Sequence, residues 1–140
     1  MMKDIIKVNA GSKFEVLGSY SRAVAVDNWI YVSLTAGRNP DTKEIPEDAV
    51  EQAVQVFRII EKILASLGSF LADVVMSRVF VQSPEHVNAV MGFIAQKFKG
   101  INPATTITCP PLGSTVYKVE VEVTAYRGAS NLNKVNVELE

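Results

Sequence analysis

From Val116 to Tyr126 the chain reads VYKVEVEVTAY. Lys118, Glu120, Glu122, Thr124 and Tyr126 alternate with Val119, Val121, Val123 and Ala125. Successive side chains of a β-strand point to opposite faces. This segment is therefore a long strand with one apolar and one polar side. The apolar side belongs on a core, and the polar side meets either water or another subunit. Glu120 and Glu122 share the polar side about 7 Å apart. Paired carboxylates do acid–base chemistry when burial raises the pKa of one of them. Two solvated carboxylates on a wet sheet face satisfy the same pattern.

The remaining elements fit around that strand. Arg22 to Leu34 holds two β-rich runs separated by Asp27-Asn28, a pair suited to a tight hairpin turn. Gly37, Pro40 and Pro46 then make a loop. A helix is predicted next, with Pro46 in its first turn, Glu47 and Asp48 at its positive end, and Gly68 closing it. Val50, Val54, Phe57, Ile60, Leu64 and Leu67 form its apolar stripe. DVVMSRVFVQ reads as a strand in which Arg78 alternates with Met76 and Phe80, away from Val75, Val79 and Val81. A second helix starts from a Ser83 N-cap with Pro84 as first residue. A short strand covers Thr105–Cys109, ahead of the PPLGS turn and the strand Val116–Tyr126. The order is β-β-α-β-α-β-β, an α+β arrangement with both helices on one face of a sheet. In the tail, Val135, Val137 and Leu139 alternate with polar residues, which fits either an extra strand or a frayed end.

Bulk properties narrow the function classes. The net charge is −1 and the pI about 5.9, without the basic stripe that nucleic acid requires. No apolar run is long enough to span a membrane, and the N-terminus does not read as a signal peptide. The expectation is a soluble, cytoplasmic protein. One cysteine, Cys109, and one histidine, His86, give no internal disulfide and no zinc ligand set. Cys109 reads as a buried thiol and His86 as a surface residue. No phosphate-binding glycine loop and no cofactor motif is present.

Taken together and in order, LGSYSRAV, IYVSL, NPDTKEIPED, ILASLGSFLADVVMSRVFVQ, VNAVMGFIAQKF, NPATT and VYKVEVEVTAY resemble the RidA/YjgF family, also called endoribonuclease L-PSP. The likeness covers residues 17–127 of a single domain spanning 1–140 and leaves 128–140 as a C-terminal extension. It implies a chorismate-mutase-like fold with a mixed sheet. It further implies a homotrimer with a small-molecule ligand cleft between subunits, and hydrolysis of reactive enamines and imines to keto acids and ammonia without metal or cofactor. The glutamate that positions water corresponds to Glu120. Tyr20, Ser33, Asn88, Met91, Thr105 and Ile107 correspond to cleft positions.

Thr105 is the main departure. Active deaminases carry Pro-Ala-Arg where this chain has Pro103-Ala104-Thr105, and that arginine clamps the substrate carboxylate. A neutral threonine predicts either an imine or enamine deaminase with an altered substrate or a non-catalytic module that binds a small metabolite. Arg22, Arg38 and Arg78 either serve surface or interface ion pairs or stand in for the missing charge, with Arg38 and Arg78 ranked first for the latter. Ribonuclease activity is disfavoured by the mild acidity and the lone histidine.

Overall fold

The computed structural model describes residues 4–140. Its centre is a six-stranded mixed sheet made of β1 (Ile5–Val8), β2 (Ala23–Val26), β3 (Trp29–Ala36), β4 (Val74–Val81), β5 (Ala104–Thr108) and β6 (Val119–Tyr126). The strand order is β1-β2-β3-β6-β4-β5. Only β4 and β5 run parallel, joined through a helix as a parallel crossover requires. The alternating strand thus lies near the middle of the sheet, antiparallel to β3 on one side and β4 on the other.

Three α-helices complete the fold: α1 (Lys13–Gly18), α2 (Ala49–Ser66) and α3 (Val87–Lys97). Helix α2 packs on β3 and β6, and α3 packs against α2. The Phe57 ring meets Phe93 and Phe98 edge-on, with centroids 5.7 and 5.3 Å away. The core lies between α2, α3 and the apolar side of the sheet, where Val119, Val121, Val123 and Ala125 are buried.

Several expected boundaries shift for identifiable reasons. β1 and α1 precede the predicted elements, so the sheet gains an edge strand. Helix α2 begins at Ala49, not at Pro46, because the Asp48 carboxylate accepts from the Glu51 amide and serves as N-cap. Its buried face is also rotated from the predicted stripe: Gln52, Ala53 and Val56 are enclosed, whereas Val50 and Val54 are half-buried. Ser83 makes no side-chain cap, and Pro84–His86 form a 3-10 turn ahead of α3. Val75 is exposed because a bulge between Val74 and Met76 gives its inward place to Val74. Cys109 follows the last paired residue of the edge strand and is exposed, not buried. The tail has a 3-10 turn at Ala129–Asn131 and no strand beyond it.

The long strand pairs regularly only from Val119. The residues before it are held by Gln52, which is wholly buried on α2. Its Nε2 donates to the carbonyls of Pro46 and Val116, each at 2.7 Å, and its Oε1 accepts from the Lys118 amide at 2.8 Å. Gly37 lies against the same turn of helix. A Cβ there would stand 2.4 Å from the Gln52 carbonyl oxygen, so only glycine permits this approach. Gln52 and Gly37 together fix where β3 ends and where β6 begins.

Candidate functional site

Register fixes which side chains share the face away from the helices. Glu120 pairs with Ala36 on β3 and with Phe80 on β4, and Phe80 pairs in turn with Thr108. One row along the strand, Glu122 pairs with Arg78, and Arg78 with Thr106. Trp29, Tyr31 and Met76 continue the same face and are exposed. This polar side therefore has aromatic and apolar neighbours and is not uniformly wet.

The two glutamates differ in their surroundings. Glu122 accepts from Arg78 Nη1 at 2.9 Å in an exposed cross-strand ion pair. Glu120 is half-buried with no ion pair among the described residues. Burial pushes its pKa above the ordinary 4.5, and the positive charge of Arg22 pulls it partly back. A carboxyl raised in this way can take up and release a proton closer to neutrality.

Arg22 reaches this region because β3 is bulged. Val32 and Thr35 pair with Val123 and Val121, so Ser33 and Leu34 together stand opposite Glu122. The Leu34 carbonyl accepts from Arg22 Nη2 at 2.8 Å, and Ser33 Oγ donates to the Ser21 carbonyl at 2.8 Å. The Tyr20 ring lies 5.7 Å from the same guanidinium. Tyr20 is delivered there by α1. Ser12 and Glu15 cap the start of that helix reciprocally, and Ser19 ends it in the left-handed region at φ 54. A Cβ on Gly18 would come within 2.8 Å of the Tyr20 ring, so glycine leaves the ring its place. Tyr20, Arg22 and Ser33 thus form one neighbourhood, and the charge of Arg22 acts on Glu120.

The other sequence-predicted residues lie elsewhere. Thr105 and Ile107 pair with the inward-facing Ser77 and Val79 in the parallel ladder, so they project from the helix side of the sheet. Thr105 Oγ1 lies 2.8 Å from Ser77 Oγ and also donates to the Pro103 carbonyl. Asn88, exposed, and Met91, half-buried, are on α3. Arg38 is half-buried in the loop after β3, with Nε enclosed and unpartnered. A shallow open groove of about 510 Å³, walled by Asn39, Glu44, Ile45, Pro46, Glu51, Gln55 and Arg58, lies away from Glu120. Among the described residues no group of histidine, cysteine, aspartate and glutamate could hold a metal ion. No helix among them is long and apolar enough to cross a membrane.

The placement of Arg22 has a trace in the sequence. In RAVAV the inward positions are Ala23 and Ala25, which sends Arg22 to the same face as the outward residues of β3. Gln52 was missed altogether. A glutamine in a helical register otherwise filled by alanine and valine was its only trace.

Sheet order and helix placement match the α+β mixed-sheet architecture of the RidA/YjgF proteins. The family model described as endoribonuclease L-PSP matches residues 10–127, and the chain belongs to this family. It is 31% identical over 116 residues to human 2-iminobutanoate/2-iminopropanoate deaminase, covering 80% of this chain and 82% of that protein. A YjgF-family member from Mycobacterium tuberculosis has a similar crystal structure, with TM-score 0.79 and 32% identity over 88% of this chain and 99% of that one. The YjgF gene product of Escherichia coli superposes with TM-score 0.75 at 26% identity, covering 86% and 94% of the two chains. A family-level link to deaminase-like proteins follows.

Proposed function

We propose that the protein is an imine or enamine deaminase acting on an altered substrate in clefts between the subunits of a homotrimer. The observation that carries this reading is Glu120, a half-buried carboxylate with a raised pKa on an otherwise partly apolar sheet face. In the proposed reaction Glu120 accepts a proton from water as the water oxygen bonds to the imine carbon. The C=N π pair moves to nitrogen, which takes up the proton. The carbinolamine then collapses: Glu120 passes the hydroxyl proton to nitrogen, the C–N bond breaks as the carbonyl forms, and the protonated nitrogen leaves as ammonia. One carboxyl of suitable pKa and ordered hydroxyls suffice for this sequence.

The two-sided distribution of candidate residues supports placing the cleft between subunits. Tyr20, Ser33 and Glu120 belong to the open face, whereas Asn88, Met91, Thr105 and Ile107 belong to α3 and to the helix side of the edge strand. The exposed Trp29, Tyr31 and Met76 give the open face the apolar area that a subunit contact needs. Thr105 occupies the place at which the family's deaminases carry an arginine, which is why the substrate is taken to differ.

The test is ammonia release from enzymatically generated 2-iminobutanoate, 2-iminopropanoate and aminomuconate-like compounds. Turnover by the wild type is expected, together with a loss of about 100-fold or more in Glu120→Gln. No turnover of any of these compounds would leave the other reading, a trimer that binds a metabolite without converting it. Undiminished turnover in Glu120→Gln would remove Glu120 from the mechanism. Light scattering checks the assembly, and a monomer would contradict the cleft.

A further inference from the structure

Arg22 has a feature that water activation by Glu120 does not use. Of its three guanidinium nitrogens, Nη2 is bonded to the Leu34 carbonyl, Nε is enclosed without a partner, and Nη1 is neither enclosed nor bonded among the described residues. No carboxylate among the described residues forms an ion pair with it. Arginine cannot shed its charge to relieve this situation. Three other cations are committed elsewhere: Arg78 to Glu122, Lys97 to Glu61, and Arg127 to the carbonyls of Leu67 and Asp27. Arg38 also keeps an enclosed, unpartnered Nε, but it lies in the loop after β3 and its charge is not among those acting on Glu120. The guanidinium is also oriented in advance, by the bulge carbonyl in its own plane and by the Tyr20 ring beside it. A half-buried cation held by one bond, with Nη1 left to donate, can form a charge-assisted hydrogen bond to an anionic oxygen.

We propose that Arg22 is the anion-recognising residue of the Glu120 site and holds the carboxylate of a small ligand through Nη1. This inference rests on the deaminase reading only in placing that ligand beside Glu120. Thr105 supplies no charge, and its hydroxyl is already engaged with Ser77 and the Pro103 carbonyl. The anionic end of the ligand is then bound from the open face of the sheet, not from its β5 edge. A ligand of this site carries a carboxylate.

Calorimetric titration of the full chain with 2-oxobutanoate and with its uncharged methyl ester tests this. The wild type is expected to bind the acid about tenfold or more tightly than the ester. Arg22→Met should abolish that preference while ester affinity stays within about twofold. Thermal melts establish that the variant is folded. If Arg22→Met does not fold, Arg22→Lys decides, since it keeps the charge and loses the planar fork. A drop of about threefold or more in affinity for the acid is expected there. A wild type without preference for the acid, a folded Arg22→Met that keeps the preference, or an unchanged Arg22→Lys would each overturn the inference. Ammonia release bears on the deaminase reading instead. A chain that binds 2-oxobutanoate through Arg22 and releases no ammonia loses that activity and keeps this recognition.

Discussion

Replacing Gln52 by leucine should destabilise the protein far more than an ordinary helix substitution. Leucine is close to glutamine in size and keeps α2 helical, so packing changes little. What disappears is a three-point bridge: Nε2 to Pro46 and Val116, and Oε1 from Lys118, at 2.7, 2.7 and 2.8 Å. A typical internal hydrogen bond contributes about 1 kcal/mol net, and a buried partner left unsatisfied costs about 1–3 kcal/mol. Pro46 and Lys118 are half-buried and Val116 is exposed, so water recovers part of that cost. The expected loss is about 2–4 kcal/mol, or about 6–15 °C in Tm for a chain of this size. Calorimetric melts at fixed protein concentration measure the shift. Hydrogen exchange of the Lys118 amide gives a second reading, since that N–H loses its acceptor and should exchange faster. Gln55→Leu, three residues along on the half-buried side, is the control. A Gln52→Leu variant melting within about 2 °C of wild type would refute the bridge as the anchor of β6.

Two pH-dependent predictions have opposite signs. The folded chain holds Glu120 at a raised pKa, through burial and against the pull of Arg22, so its ionised form costs stability. That cost is absent below the ordinary value of 4.5 and complete above the raised folded value. Glu120→Gln should therefore have a higher urea midpoint than wild type near neutral pH, with the gap closing as pH falls toward 4.5, and a gap independent of pH would contradict the assignment. Asp73 behaves the other way. Burial would push its pKa up, but hydrogen bonds from the Ser69 hydroxyl and from Ser130 outweigh that and lower it. Its contribution to stability is present above 3.8 and is lost as pH falls through the lowered folded value. Asp73→Asn should flatten the acid limb of the stability curve between 3.8 and the lowered folded value and destabilise the protein at neutrality, as urea unfolding between about pH 2 and 7 would show.

Much of the fold is legible in the chain because its signals are local. Strict alternation in Val116–Tyr126 demands a two-faced strand, and its apolar residues are indeed the centre of the core. Asp27 turns the β2–β3 hairpin at φ 53, a conformation aspartate accepts more readily than most residues. Where reading failed, a tertiary contact overrode a local preference. Asp48 caps α2 in place of an earlier start, and the buried face of α2 is set by the sheet and not by the most hydrophobic stripe. β1 is short and mostly exposed, so its pattern carries little information until β2 pairs with it.

For the site, the amino-acid sequence alone determined that Glu120 and Glu122 share one side of a strand, since a two-residue spacing leaves no other geometry. It also determined that Thr105 brings no charge. It could not decide which glutamate is sheltered, because that depends on neighbours far away in the chain: Glu122 has Arg78 across the ladder, and Glu120 has Phe80 and the field of Arg22. Nor could it separate Thr105 and Ile107 from Glu120, since the faces of two different strands are related only through pairing register. A bulge at Ser33-Leu34, one extra residue in β3, brings Arg22 and Tyr20 into the neighbourhood of Glu120. Spacing along one strand is covalent geometry, whereas the meeting of side chains from several strands is settled only when the sheet assembles.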